Sequence, residues 1–197
     1  MPKRTIKKLP RPFYSRPTLE VAPEMLGKHL VYNSPVGQLS ARIVEVEAYI
    51  GRDDPACHAA RGLTERTRPM FGPAGFTYIY FVYGMYHCLN LVTEPEGRPA
   101  ALLIRAAEPE AGLDLMLKQA GKTSECGLLS GPGKLCHALG LTRDQNNLDL
   151  TGDTIYIEDR DTQVRSIQRS RRIGVKVARD RLWRFYDADS TALSKAR

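Results

Sequence analysis

No apolar run in this 197-residue chain approaches the roughly 18 residues that a membrane-spanning helix needs, so no membrane partner is expected. The N-terminus, MPKRTIKKLPRPFYSRP, is basic but has no apolar stretch behind its charges, which is not the build of a secretory signal. Its prolines also argue against the amphipathic helix of a transit peptide. The expected address is the cytoplasm, wherever the cell's DNA lies. Cysteine is sparse, at four residues, and without secretion a disulfide framework is not expected. Three of the four sit directly beside a histidine, as Cys57-His58, His87-Cys88 and Cys136-His137. Adjacent residues on a strand point to opposite faces, whereas paired zinc ligands are spaced so that both reach one ion. No metal site is therefore expected.

Acidic residues are missing where basic ones gather. Residues 1–17 hold six Lys/Arg and no acid, and residues 160–184 hold nine against Asp161 and Asp180, within a net charge of +7. Such a balance favours a polyanionic partner, nucleic acid first, over a merely solvated surface. Hydrophobic content of 42% and the chain length fit one domain with its own core, residues 18–197, behind a basic and flexible tail at 1–17.

Aromatics make up only 8% of the chain, yet YIYFVYGMYHCLN (78–90) places Tyr78, Tyr80, Phe81, Tyr83 and Tyr86 within nine positions. A buried strand favours aliphatics, because a buried Tyr hydroxyl needs a partner. Such a run of flat, polar-tipped rings demands a purpose. SGPGKLC (130–136) faintly echoes a nucleotide-binding P-loop, but Leu128 and Leu135 stand where that motif requires Gly and Ser/Thr. What is left is a Gly-rich turn before a short helix, where backbone amides and Lys134 could hold a phosphate oxygen, or simply a loop-helix junction.

Along the chain, LEVAPEMLGKHLVYN predicts a helix over about 18–27 and then a strand. A turn at Ser34–Gly37 leads into the strand LSARIVEVEAYI. Residues 51–77 form a long Gly/Pro/Arg/Asp-rich loop, of the kind that is usually functional or disordered. The aromatic run and its hairpin partner follow, then the strand ALLIRAA, a helix over EPEAGLDLMLKQA, and late strands at DTIYIED and RRIGVKV. The expected fold is α+β: one compact domain around a curved, largely antiparallel sheet with a protruding hairpin and flanking helices. In RIVEVEAYI, alternation puts Glu45, Glu47 and Tyr49 on one face and Val44, Val46 and Ala48 on the other. The pattern alone allows either a catalytic pair of carboxylates or a half-exposed strand with solvated acids.

Five segments taken in order, RIVEVEAYIGRDDPACHAARG, TERTRPMFGPAGFTYIYFVYGMYHCLN, LLIRAAEP, SGPGKLCHALGL and RRIGVKVARDRLWRFY, resemble the alkyladenine (3-methyladenine) DNA glycosylases that lack a helix-hairpin-helix. The resemblance runs from about residue 18 to 186. It implies a single glycosylase domain that acts as a monomer, without a cofactor, on double-stranded DNA carrying damaged purines. The damaged base is flipped out and its N-glycosidic bond hydrolysed, leaving an abasic site. It further implies that Tyr83 enters the minor groove beside Gly84, and that Tyr49, His58 and Tyr80 stack on the flipped base. Asn90 would sit on the pocket floor against normal guanine. Glu47 would be the general base, with Arg105 holding it ionised and the Ile173 carbonyl as a further ligand of the attacking water. The Gly-rich turn, not the resemblance, makes Gly133 and Lys134 the expected contacts to DNA phosphate. One departure is visible: Cys57 precedes the pocket histidine where the family often has Ser. Two other classes use part of this pattern. A non-catalytic nucleic-acid module explains the charge and the rings but not the Glu47-Tyr49-His58-Arg105 set. An unrelated nucleoside or sugar hydrolase explains paired acids but not the basic stretch.

Overall fold

The computed structural model describes residues 7–195. Eight strands make one wholly antiparallel sheet: β1 (His29–Ser34), β2 (Gly37–Ile50), β3 (Thr77–Val82), β4 (Tyr86–Val92), β5 (Ala100–Ala111), β6 (Ile155–Glu158), β7 (Ile167–Ser170) and β8 (Arg184–Asp187). The main path runs β3-β4-β5-β2-β1-β6, and β8 joins β2 to β7. The sheet curls into a half-barrel, and with four α-helices the expected α+β class holds.

β2 decides where the chemistry can lie. Its first part, Gly37–Arg42, pairs with β1 and Glu45–Glu47 pair with β8, while β5 covers the other edge from Ser40 to Ile50. Register shifts between Ile43 and Val46 mark a β-bulge at this junction, a device that re-aims side chains. Residues directly opposite one another on antiparallel strands share a face. Tyr78 and Tyr80 therefore lie beside Asn90 and Cys88, Asn90 beside Leu103, and Leu103 and Ala101 beside Glu47 and Tyr49. The opposite face carries Ile79, Leu89, Leu91, Leu102, Ile104, Val46 and Ala48, which enter the main apolar core with α2 (Thr18–Met25) and α4 (Pro132–Leu139). Burying that face drives folding, at about 25 cal/mol per Å² of apolar surface, and leaves the other face free for polar groups.

The long 51–77 segment is structured by two 3-10 turns, His58–Arg61 and Arg68–Phe71. A smaller apolar cluster of Cys57, Ala59, Met70, Tyr78, Val92 and Ala101, with Tyr49 and Tyr80 against it, holds the segment on the site face.

Three expectations need correction. The basic segment 1–17 is not a free tail over its described part: residues 1–6 lie outside the described residues, but 7–17 are packed on the domain. Tyr14 in α1 (Arg11–Tyr14) is fully buried, Leu9 nearly so, and Arg11 and Arg16 pair with Asp149 and Glu24. The helix expected from Glu108 starts later, as α3 (Leu113–Ala120), because Glu108–Ala111 extend β5 against Ser40–Arg42 and Arg42 pairs with Glu108. RRIGVKV is irregular rather than a strand: the Arg172 side chain is drawn into the interior, and Gly174 turns the chain at φ 78°.

Candidate active site

The floor of the site is charged and buried. Glu47 is fully buried between β5 and β8. Its Oε2 accepts a hydrogen bond from the Tyr49 hydroxyl at 2.8 Å and lies 3.3 Å from Arg105 Nη1, and its Oε1 accepts from the Ile173 amide at 2.7 Å. Burial raises the carboxyl above the usual range, against the opposing pull of Arg105, the Ile173 amide and Tyr49. Glu45 is buried to the same degree but in another setting. It accepts from Arg105 Nε at 2.9 Å, Arg184 Nε at 2.7 Å, Ser194 Oγ at 2.7 Å and the Ser194 amide at 2.6 Å. Burial pushes its carboxyl up too, but the bonds from Arg184 and Ser194 and the Arg105 charge outweigh that and hold it below the usual range. Two glutamates that alternation could not separate are thus split: a Glu45 saturated with donors and held below the usual carboxylate range, and a Glu47 raised above it. Neither is a solvated acid.

Rings form the walls. Tyr49, His58 and Tyr80 are half-buried, as a surface open to a ligand must be. His58 and Tyr80 meet edge-on with centroids 4.5 Å apart, and His58 Nδ1 is 3.0 Å from the Tyr78 hydroxyl. Burial and the neighbouring Arg66 charge push the His58 imidazole down to about 4, so it is neutral at neutral pH. Asn90 is buried beside these rings, its amide donating to the carbonyls of Tyr78 at 2.9 Å and Cys88 at 3.2 Å. The structure therefore brings Glu47, Tyr49, His58, Tyr80, Asn90 and Arg105 onto one face. Ile173 joins them through its backbone amide, which donates to Glu47 Oε1.

Tyr83 stands apart. The Val82–Met85 turn closes with a Met85 amide to Val82 carbonyl bond of 3.3 Å, and both central residues take positive φ, Tyr83 at 55° and Gly84 at 68°. Gly84 accepts that freely; a tyrosine seldom does, and local strain of this kind gathers at working sites. Tyr83 is 81% exposed, with Met85 and Phe81 exposed beside it. Gly133, in the first turn of α4, is needed for close approach: a Cβ there would come within 2.8 Å of the ring of Tyr86, which directly follows the hairpin turn. Lys134 beside it is exposed.

Sequence reasoning does not single out Arg172, Asp54, Trp183, Arg66 or Ser194. Arg172 belongs by sequence to the DNA-facing charges, yet its side chain is fully buried and bound bidentately to Asp54 at 2.6 and 2.7 Å, with its guanidinium over the rings of Tyr49 and Trp183. Arg160 and Arg184 are likewise taken up in ion pairs. Arg165, Arg169, Arg171, Lys176 and Arg179 remain exposed. Among the described residues no cluster of three or more His, Cys, Asp and Glu could hold a metal, and no helix is long and apolar enough to cross a membrane.

Residues 12–191 match the family model described as methylpurine-DNA glycosylase. Similar curated proteins carry the provisional name 3-methyladenine DNA glycosylase. One from Methanocella arvoryzae is 52% identical over 194 residues, covering 95% of this chain and 96% of that protein. One from Alkaliphilus oremlandii is 45% identical, covering 95% and 99%. One from Sodalis glossinidius is 50% identical, covering 90% and 95%.

Proposed function

The chain belongs to the methylpurine-DNA glycosylase family, and from that membership we propose that it flips damaged purines out of duplex DNA as a monomer and hydrolyses their N-glycosidic bonds. The observation that carries this reading is the buried Glu47 carboxylate, raised in pKa and bound by Tyr49, Arg105 and the Ile173 amide on the sheet face that also carries Tyr80 and Asn90. As the bond from sugar to purine breaks, its electron pair leaves with the base and positive charge grows on the sugar. Ionised Glu47 faces that charge and takes a proton from the attacking water, while Arg105 keeps the carboxylate ionised. No metal is needed for a purine that alkylation has already made a good leaving group. Stacking on Tyr49, His58 and Tyr80 contributes about 1–3 kcal/mol per contact toward the cost of extrusion. An electron-rich ring also favours a cationic base by about 0.5–2 kcal/mol. The direct test is release of free modified base from methylated duplex DNA. Methylated DNA that keeps all its bases would overturn this reading.

Tyr83 is the proposed wedge. An exposed ring on a strained turn fits the gap left by an extruded nucleotide. Tyr83→Ala should lower the fluorescence change of a base analogue opposite the lesion, and should slow excision from duplex far more than from single strands. Equal losses on both substrates would assign Tyr83 to the pocket instead.

Phosphate contacts are assigned to Gly133 and Lys134 in the first turn of α4, and to the exposed Arg165, Arg169, Arg171, Lys176 and Arg179. The segment that carries these five is tied to the site by the Ile173 amide. If these residues bind phosphate, log affinity for undamaged duplex should fall linearly with log salt, by about 0.9 for each phosphate neutralised. Replacing Arg165, Arg171 and Arg179 with Ala should flatten that slope. Arg160→Ala, in a residue already paired with Glu158 and Glu110, should not. Binding indifferent to salt would rule the assignment out.

A further inference from the structure

Arg105 supplies the largest charge opposing the burial of Glu47, so whatever fixes Arg105 bears on the chemistry. Its Nη1 lies 3.3 Å from Glu47 Oε2. Its Nε donates to Glu45 Oε1 at 2.9 Å and to Ser194 Oγ at 3.2 Å, and its Nη2 donates to Ser194 Oγ at 3.0 Å. The Ser194 hydroxyl donates its own proton to Glu45 Oε1 at 2.7 Å. One donor and two lone pairs are then all in use. The Ser194 amide closes the loop on Glu45 Oε2 at 2.6 Å. Upstream, Ser190 ties the same terminal segment to Glu108 of β5 at 2.6 Å. This segment belongs to no strand or helix, yet Ser194 is buried against two charged groups. The family match ends at residue 191, short of it.

We propose that Ser194, acting with Glu45, is a positioning residue: the C-terminal segment clamps the Arg105 guanidinium so that one nitrogen is held against Glu47. The proposal rests on the reading of Glu47 as the reacting carboxylate. Glu47 is faced by Tyr49 and Glu45 from its own strand, Arg105 from β5, Arg184 from β8, and the Ile173 amide with Arg172 from the irregular segment after β7. Cys88 of β4 lies near Arg105 on the same face. Of the three arginines in this set, Arg105 is the one that Ser194 holds.

Ser194→Ala deletes two acceptor contacts to Arg105 and one donor to Glu45, and leaves every charge in place. A loosened Arg105 stabilises ionised Glu47 less, so Glu47 should hold its proton to higher pH. Single-turnover excision should then show its acid limb moved upward, with the high-pH plateau nearly unchanged. On that limb the rate at a fixed pH should fall about tenfold for every pH unit by which the limb moves. Ser194→Thr keeps the hydroxyl and should return the limb to its original place. A uniform loss at all pH values, or an unmoved limb, would overturn the proposal. A second readout needs no turnover: the carboxyl carbon resonance of Glu47, identified by its absence in Glu47→Gln, should titrate at higher pH in Ser194→Ala. An unmoved titration overturns the clamp. If the unaltered protein releases no base while this titration still moves, the proposed function fails and the clamp stands.

Discussion

Glu47→Gln is expected to abolish excision while leaving lesion binding in place. The amide keeps the shape and can still accept from the Ile173 amide, but it cannot take a proton from water or carry charge beside the developing sugar cation. Loss of a general base typically costs about 10²–10⁴-fold, and loss of the opposing charge adds to that. Gel-shift affinity should persist, because the rings of Tyr49, His58 and Tyr80 are untouched. Stability gives an internal control with the opposite sign. The folded-state pKa of Glu47 is raised above the usual value of 4.5. Its contribution to stability is therefore fully present below that value and is lost as pH rises through the folded pKa. Above the folded-state pKa the ionised side chain is a net cost, and there Gln should match or exceed the original protein in urea denaturation. Glu45→Gln should do the reverse. It strips a carboxylate from Arg105 and Arg184, lowering the unfolding midpoint, with a milder loss of rate. A dead Glu45→Gln beside an active Glu47→Gln would put the base on the wrong residue.

The elements legible in the sequence are those whose causes are local. Alternation over 39–50, the turn at Ser34–Gly37 and the glycines flanking the short helices all report on neighbours within a few residues, and β1, β2, α2 and α4 follow from them. Glu108–Ala111 escape this logic because their pairing is set by distant residues; Arg42, which binds Glu108, lies 66 positions away in the chain. RRIGVKV escapes for the same kind of reason. Its alternation suits a strand, but the bond between Arg172 and the distant Asp54 pulls the backbone inward instead. The site follows a similar division. Residue types and the family resemblance point to Glu47, Tyr49, Tyr80, Asn90 and Arg105, which share one face of the sheet, and to His58, which packs over it from a 3-10 turn. The unlike states of Glu45 and Glu47 cannot be read from a period of two, since they depend on Ser194 and Arg184 far along the chain. Charge counting also misleads at Arg172. A basic stretch looks uniform in sequence, and only packing separates its buried member from its exposed ones.

Asp54→Ala is expected to destabilise the fold by about 3–5 kcal/mol, the range for breaking a fully buried ion pair by removing one partner. Both side chains of the Arg172–Asp54 pair are completely buried. Among the described residues, Arg172 Nε already lacks a partner. Without Asp54 the guanidinium would keep only the Ala48 carbonyl, at 2.9 Å, and the faces of Tyr49 and Trp183. Asp54 also accepts from the amides of Ile50 and Ala56, so the start of the 51–77 segment loosens with it. For a chain of this size the melting temperature should fall by roughly 6–20 °C. Removing both charges, as Asp54→Ala with Arg172→Met, should recover part of the loss, because the largest penalty is an uncompensated buried cation. The double variant should still excise poorly. Arg172 packs on Tyr49 and directly precedes Ile173, whose amide holds Glu47 Oε1. Urea denaturation of the two single variants and the double variant, beside single-turnover excision, separates these effects. A double variant no more stable than Asp54→Ala would show that the damage comes from lost packing and not from the stranded charge.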